Sequence, residues 1–90
     1  YYAGQIYAMA GASSRHSRIN RNILVALDKI LRGTPYEPFG SDMRTKVDYG
    51  YKYPDVVVAC NPQFDDEELD TLLNPVVIIE VLSPSTEQYD

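Results

Sequence analysis

Two short apolar runs place the strongest constraint on how this chain folds. Val56–Ala59 and Val76–Leu82 are rich in β-branched residues, and their apolar positions are consecutive. Runs of this kind are typical of strands that are buried on both faces of a sheet. The sequence therefore predicts two central strands, over Tyr53–Cys60 and Val76–Leu82. Pro54 is compatible with the first strand only because it lies near the strand's start.

The segment before these strands predicts an amphipathic helix. Ser13 or Ser14 offers an N-cap, and Gly33 stands where a glycine would end the helix. With steps of about 100° per residue, His16 and Asn20 lie on the same side of the helix as its apolar stripe. That stripe consists of residues at helical spacing: Ile19, Ile23, Leu24, Leu27, Ile30 and Leu31. We therefore expect two polar side chains near the N-terminal end of the helix to face the core.

Weaker patterns complete the predicted secondary structure. Gln5–Met9 is a short strand candidate, and Phe39–Asp48 alternates as a half-exposed strand does. Tyr49-Gly50 predicts a turn, and the acidic segment Asn61–Asn74 predicts a solvated loop. Ser85 is placed as the cap of a further helix. The expected fold class is α/β, with an amphipathic helix packed on a mixed or antiparallel sheet.

Length and composition bound the organisation. Ninety residues allow one domain at most, since so short a chain buries only about 60% of the surface that its unfolded form exposes. No apolar run approaches the roughly 20 residues that span a bilayer. The start of the chain lacks a signal-peptide pattern, so we expect a cytoplasmic protein without membrane contact. The single Cys60 excludes an internal disulfide and a cysteine-rich zinc site.

The charges are distributed unevenly along the chain. All eight Lys and Arg residues lie in Arg15–Lys52 with four acids, which gives this part a net charge of +4. Nine acids and no Lys or Arg follow from Tyr53 onward, which gives −9. A total of −5 does not favour binding of nucleic acid by bulk electrostatics. The asymmetry fits a bound cation on the acidic side, an acidic loop, or both.

Two carboxylates within the buried strands carry the functional signal. Glu80 lies inside an apolar run, and Asp55 lies at the entrance of the other. A buried carboxylate is disfavoured unless it is paired or bound to a metal. If the strands are antiparallel neighbours, both carboxylates meet at one edge of the sheet. All-oxygen ligands suit Mg²⁺ or Mn²⁺, which can activate a water and stabilise a phosphodiester under attack.

Pro54-Asp55, followed by Glu80-Val81-Leu82, resembles the PD-(D/E)XK signature of a nuclease superfamily. The runs MAGASSRHS, FGSDMR, YPDVVV and NPVVIIEVLSPST resemble the Uma2 family of restriction-endonuclease-like proteins along nearly the whole chain. The resemblance implies a restriction-endonuclease-like core and Mg²⁺- or Mn²⁺-dependent cleavage of DNA. It also implies metal ligands at Asp55, Glu80 and the backbone carbonyl of Val81.

One motif position departs from the superfamily pattern. Leu82 stands where a lysine is usual. The resemblance to Uma2-like proteins implies that the lysine lies on the following helix instead. We therefore expect residues 1–90 to form a single but truncated domain that is catalytically incomplete. Lys46 and Lys52 are the only lysines near the predicted site, and Lys46 is on the outward side of its strand. Truncation before the helix at Ser85 should leave apolar surface of the sheet uncovered, and such surface favours a homodimer or a larger assembly.

Alternatives remain at each residue and for the whole chain. Glu80 could form a structural ion pair with Arg44 or Lys46, and Asp55 could cap a turn. His16 is a candidate catalytic residue by its direction and by the resemblance, or else a hydrogen-bonded helix histidine. Two carboxylates also serve glycoside hydrolases, although the chain has no Trp for a sugar platform. A binding or assembly module that keeps the nuclease fold is a non-enzymatic alternative. Metal titration distinguishes a nuclease core from the other candidates.

Overall fold

The computed structural model describes residues 4–9, 13–65 and 70–82. Within them the chain forms one helix and two four-stranded mixed sheets. The elements in chain order are β1 (Gly4–Met9), α1 (Ser13–Ile30), β2 (Tyr36–Phe39), β3 (Thr45–Val47), β4 (Gly50–Lys52), β5 (Val56–Cys60), β6 (Phe64–Asp65), β7 (Thr71–Leu72) and β8 (Pro75–Leu82). The strand orders are β1-β8-β5-β2 in the first sheet and β4-β3-β7-β6 in the second. The predicted α/β class is confirmed, but the strands form two sheets.

The two apolar runs form the centre of the first sheet, as predicted. β5 and β8 are antiparallel neighbours, with Val56 opposite Ile79. β1 adds to the other side of β8 in parallel, and β2 adds to β5 in antiparallel orientation. β5 begins at Val56 and not at Tyr53. Pro54 is buried just before this start, where its missing N–H costs no ladder hydrogen bond.

Helix α1 ends close to its predicted boundary. Leu31 N–H donates the last helical bond, to the Leu27 carbonyl at 2.8 Å. Gly33 has a φ of 83°, a left-handed conformation that favours glycine after a helix. Arg32 and Asp28 form an exposed ion pair at 3.1 Å. An apolar pocket of about 340 Å³ lies between the helix and the first sheet. Its lining includes Ile6, Leu27, Leu31, Tyr36, Val77 and Ile79.

The predicted strand Phe39–Asp48 is wrong, because a turn interrupts it. The Met43 N–H donates to the Gly40 carbonyl at 3.2 Å, and the chain passes there from the first sheet to the second. The sequence keeps its alternating pattern through this turn, so alternation alone could not reveal the change of sheet. The predicted turn at Tyr49-Gly50 is confirmed: it joins β3 to β4, and Gly50 has a φ of 143°.

The predicted loop Asn61–Asn74 contains two short strands, so that prediction is wrong in part. β6 and β7 pair in antiparallel orientation. The Asn74 side chain holds the segment to the end of β5, donating to the Cys60 carbonyl at 3.2 Å and accepting from the Gln63 N–H at 2.8 Å. Such side-chain bonds replace ladder bonds that the sequence pattern does not reveal. Residues 66–69 of the acidic run and the predicted helix at Ser85 lie outside the described residues.

A core between the two sheets fixes their relative position. It consists of buried residues from both: Val47, Val57, Ala59, Leu72 and Ile78. Phe39 and Met43 pack against this cluster, and the rings of Phe39 and Phe64 meet edge to face at 5.7 Å. The second sheet therefore covers the face of β8 that carries Ile78. Among the described residues, no helix combines the length and the apolar composition that crossing a membrane requires.

Candidate active site

Asp55 is the residue at which the helix and the central strands meet. It lies one residue before β5, and its side chain is 19% exposed. Its Oδ2 accepts a 2.6 Å hydrogen bond from the backbone N–H of Val81. Val81 lies two residues beyond Ile79, the last partner in the β5–β8 register. The carboxylate therefore replaces the backbone partner that a longer β5 would have supplied, and it ties the start of β5 to the end of β8.

Helix α1 supplies the other contacts of Asp55. The Asn20 amide nitrogen donates to Oδ1 at 3.1 Å, and Nε2 of His16 lies 3.3 Å from the same oxygen. Both side chains are half-buried and face the sheet, so the predicted inward direction is confirmed. Asn20 Oδ1 is buried without a hydrogen-bond partner among the described residues. The exposed positions Arg15, Arg18 and Arg21 point away from this contact.

Glu80 has a different partner. Its Oε2 lies 2.5 Å from Nζ of Lys52, with side-chain exposures of 17% and 27%. An ion pair with Arg44 or Lys46 was the alternative considered from sequence, and that choice of partner is wrong. Arg44 stacks over the ring of Tyr51 at 4.1 Å, and Lys46 is exposed. The Glu80 hydrogen bond raises the pKa of Lys52 above its usual range, although burial opposes this shift.

The structure thus brings Asp55 and Glu80 to the same end of the β5–β8 pair. Asp55 is bonded to the residue that follows Glu80 in β8. Their contacts differ, because Asp55 is held from the helix side and Glu80 is held by the second sheet. In the described ranges, no three His, Cys, Asp or Glu side chains are grouped closely enough to hold a metal ion by themselves. A metal shared by the two carboxylates and the Val81 carbonyl stays a prediction.

Lys52 is the site residue whose partner the sequence does not predict. The sequence places it near the predicted site and assigns it no ion pair. One signal was present: Lys52 alternates with Tyr51 and Tyr53, so it must point opposite to them. Local rules favour aromatic rings inside and lysine outside, yet Tyr51 and Tyr53 are exposed and Lys52 is half-buried. Only the pairing of β4 within the second sheet reveals this inversion.

Comparison with known protein families identifies the family of this chain. Residues 1–90 match the Uma2 family, whose description is "Putative restriction endonuclease". The chain belongs to the Uma2 family. The Uma2 description suggests an endonuclease, and the family suggests a restriction-endonuclease-like fold. No solved structure matches the chain.

Two relatives extend the comparison. The uncharacterized protein slr1290 of Synechocystis is 39% identical over 100% of this chain and 48% of its own length. The uncharacterized protein sll1609 of the same organism is also 39% identical, over 100% of this chain and 52% of its own length. This Uma2 chain therefore spans about half the length of these two relatives.

The hydrogen bond from Asn20 to Asp55 gives a stability prediction for this Uma2 chain. We expect Asn20→Ala to lower the free energy of unfolding by about 1 kcal/mol, because a bond to a charged group is lost. The loss should stay small, because alanine also removes the buried Oδ1 that has no partner. Asn22→Ala, at an exposed position of the same helix, is the matched control. Urea unfolding of both variants checks the difference, and equal effects would contradict it.

Proposed function

We propose that this chain is the metal-binding core of a Mg²⁺- or Mn²⁺-dependent endonuclease that hydrolyses phosphodiester bonds of DNA. The observation that carries the proposal is the bond between Asp55 Oδ2 and the Val81 N–H. This bond fixes one carboxylate beside the strand segment that bears the other, Glu80. The family match supports the reaction class, and the PD-(D/E)XK resemblance supports the metal.

The donor atoms of Asp55 and Glu80 are carboxylate oxygens, the type that a hard divalent cation takes. Mg²⁺ is usually bound by one or two protein carboxylates, with waters and substrate phosphates as the remaining ligands. Carboxylate oxygens suit Mg²⁺ or Mn²⁺, whereas Zn²⁺ takes three or four protein ligands that usually include nitrogen or sulfur. Asp55 and Glu80 would hold the ion, with the Val81 carbonyl as a third oxygen. The bound ion would lower the pKa of a water and offset charge on the phosphate.

The helix residues have a positioning role in this proposal. Asn20 and His16 contact the same oxygen of Asp55, which leaves the other oxygen with the Val81 N–H. An ionised carboxylate has about four lone-pair sites, so Oδ2 keeps one site for a cation. His16 Nε2–H can donate to Oδ1 and so hold Asp55 in the orientation that its bond to Val81 requires. We propose His16 as the catalytic-site histidine on this basis.

The experiment that tests the function uses Glu80. We expect Glu80→Gln to abolish Mn²⁺ binding in calorimetry and to abolish metal-dependent DNA cleavage, while circular dichroism shows an unchanged fold. The amide is the same size but carries no charge for the cation. Glu37→Gln, at an exposed position of β2, is the matched control and should bind Mn²⁺ as the parent does.

Each other outcome identifies an alternative. Mn²⁺ binding by Glu80→Gln with unchanged affinity would contradict the proposed site. A parent chain that binds no Mn²⁺ and cleaves no DNA would indicate a binding or assembly module, and glycoside cleavage without metal would indicate a two-carboxylate hydrolase.

A second copy of the chain is the proposed cover for the apolar cavity beside Ile6, which is 52% exposed. Light scattering of the purified chain tests this homodimer.

A further inference from the structure

We propose that Lys52, from β4, keeps a positive charge beside Glu80, on the side of β8 where Leu82 adds none. The inference rests on the proposed nuclease function and adds a positioning residue to it. Lys52 would act through Glu80, by orienting its carboxylate and by keeping an ammonium group beside it.

Strand alternation supports the equivalence of the two positions. Residues 80 and 82 of β8 lie on the same face, because successive side chains of a strand point to opposite faces. The core residue Ile78 shares that face, and the second sheet covers it. Lys52 reaches Glu80 from the second sheet, at 2.5 Å. Its ammonium group therefore lies on the side of β8 where a lysine at position 82 would project.

The backbone of Lys52 is well fixed. Lys52 pairs with Thr45 in the β3–β4 ladder, and Thr45 is fully buried and also pairs with Leu72 of β7. A half-buried lysine in such a strand loses hydration and side-chain entropy, which the pairing with Glu80 must offset. Among the described Lys and Arg residues, those of helix α1 and Lys46 are exposed, and the half-buried Arg44 stacks on the ring of Tyr51. Lys52 is placed against one of the two candidate metal ligands.

The charge of Lys52 should act on metal binding and turnover in opposite directions. In the metal-free protein the ammonium group competes with a cation for Glu80, so its removal should tighten Mn²⁺ binding. During cleavage the same charge is a fixed electrostatic contribution beside the reacting phosphate, so its removal should slow turnover. A residue with only a structural role would weaken both functions together.

The test compares Lys52→Met with Lys46→Met in the protein at its full natural length. Methionine keeps the length and apolar stem of lysine, and position 46 lies on the adjacent strand with its side chain exposed. We expect Lys52→Met to lower kcat for Mg²⁺-dependent DNA cleavage by about a hundredfold with little change in KM. Calorimetry should show Mn²⁺ binding tightened by about fivefold. Lys46→Met should change neither quantity by more than about twofold.

The Lys52→Arg variant tests whether the effect of Lys52→Met comes from the lost charge or from a disturbed fold. Arginine keeps the charge, so it should restore parental Mn²⁺ affinity and at least about a tenth of parental kcat. The proposal is overturned if Lys52→Met matches Lys46→Met, or if arginine rescues no more than methionine does. If Lys52→Met does not fold, the arginine variant alone decides, and a kcat below about a tenth of the parental value would overturn the proposal. Mn²⁺ binding that survives Glu80→Gln would instead overturn the proposed function itself.

Discussion

Replacing Asp55 with alanine should lower the rate of metal-dependent DNA cleavage by about a thousandfold, which corresponds to about 4 kcal/mol of transition-state stabilisation. It should also lower the free energy of unfolding by about 3 kcal/mol. Both effects arise from the same side chain. Asp55 is a proposed metal ligand, and its two oxygens accept from Val81, Asn20 and His16.

The stability part of this prediction follows from the Val81 N–H. Val81 is 2% exposed, so water cannot readily replace the carboxylate when it is removed. A buried donor left without a partner costs about 1–3 kcal/mol, and the Asn20 amide loses its acceptor in the same variant. Asp55→Asn should cost less stability, because the amide oxygen can still accept one bond. It should cost as much activity, because the charge for the metal is gone.

Two measurements check this prediction. Urea unfolding gives the stability of Asp55→Ala and Asp55→Asn, and a cleavage assay with Mg²⁺ gives their activity. Asp42→Asn is the matched control, because Asp42 is an exposed acid in the turn between β2 and β3. The proposed role of Asp55 is wrong if Asp55→Asn cleaves DNA within tenfold of the parent rate. Unchanged stability of Asp55→Ala would mean that the bond to Val81 contributes nothing.

The parts of the site that follow from local periodicity could be predicted from the sequence. The apolar runs around Asp55 and Glu80 specify two buried strands, and their antiparallel pairing brings the start of one beside the end of the other. Steps of 100° place His16 and Asn20 on the buried side of α1. These residues meet Asp55 in the structure because helix direction and strand pairing are both set by burial of apolar surface.

The parts that depend on which sheet a strand joins could not be predicted. β3 lies within the alternating segment Phe39–Asp48, and the sequence predicts no strand over β4. Alternation does not reveal that both leave the first sheet and pack against the face of β8. The position of Lys52 follows from that packing. A sequence rule that sends lysine outward and tyrosine inward fails here, because Lys52 pairs with the half-buried Glu80.

Packing between the two sheets gives the second large prediction. We expect Ile78→Ala to lower the free energy of unfolding by about 3–5 kcal/mol, because it removes fully buried methylene and methyl groups and leaves a cavity. A chain of 90 residues is stable by only about 5–14 kcal/mol, so the loss is a large share of the total. Ile78 is 0% exposed and packs with Val57, Val47 and Leu72 across the interface of the sheets.

The same substitution should loosen the Lys52–Glu80 pair, because the core around Ile78 holds β8 against the second sheet. Ile30→Ala removes the same groups at a position that is 71% exposed, and it should change stability by no more than about 0.5 kcal/mol. Thermal unfolding of both variants gives the stability difference. Hydrogen exchange at the Lys52 amide, which pairs with Thr45 in β3, reports on the interface. If Ile78→Ala accelerates exchange in β4 as well as in β8, the two sheets unfold as one unit. Acceleration confined to β8 would show that the second sheet is stable without the first, and that the ion pair is not supported by the shared core.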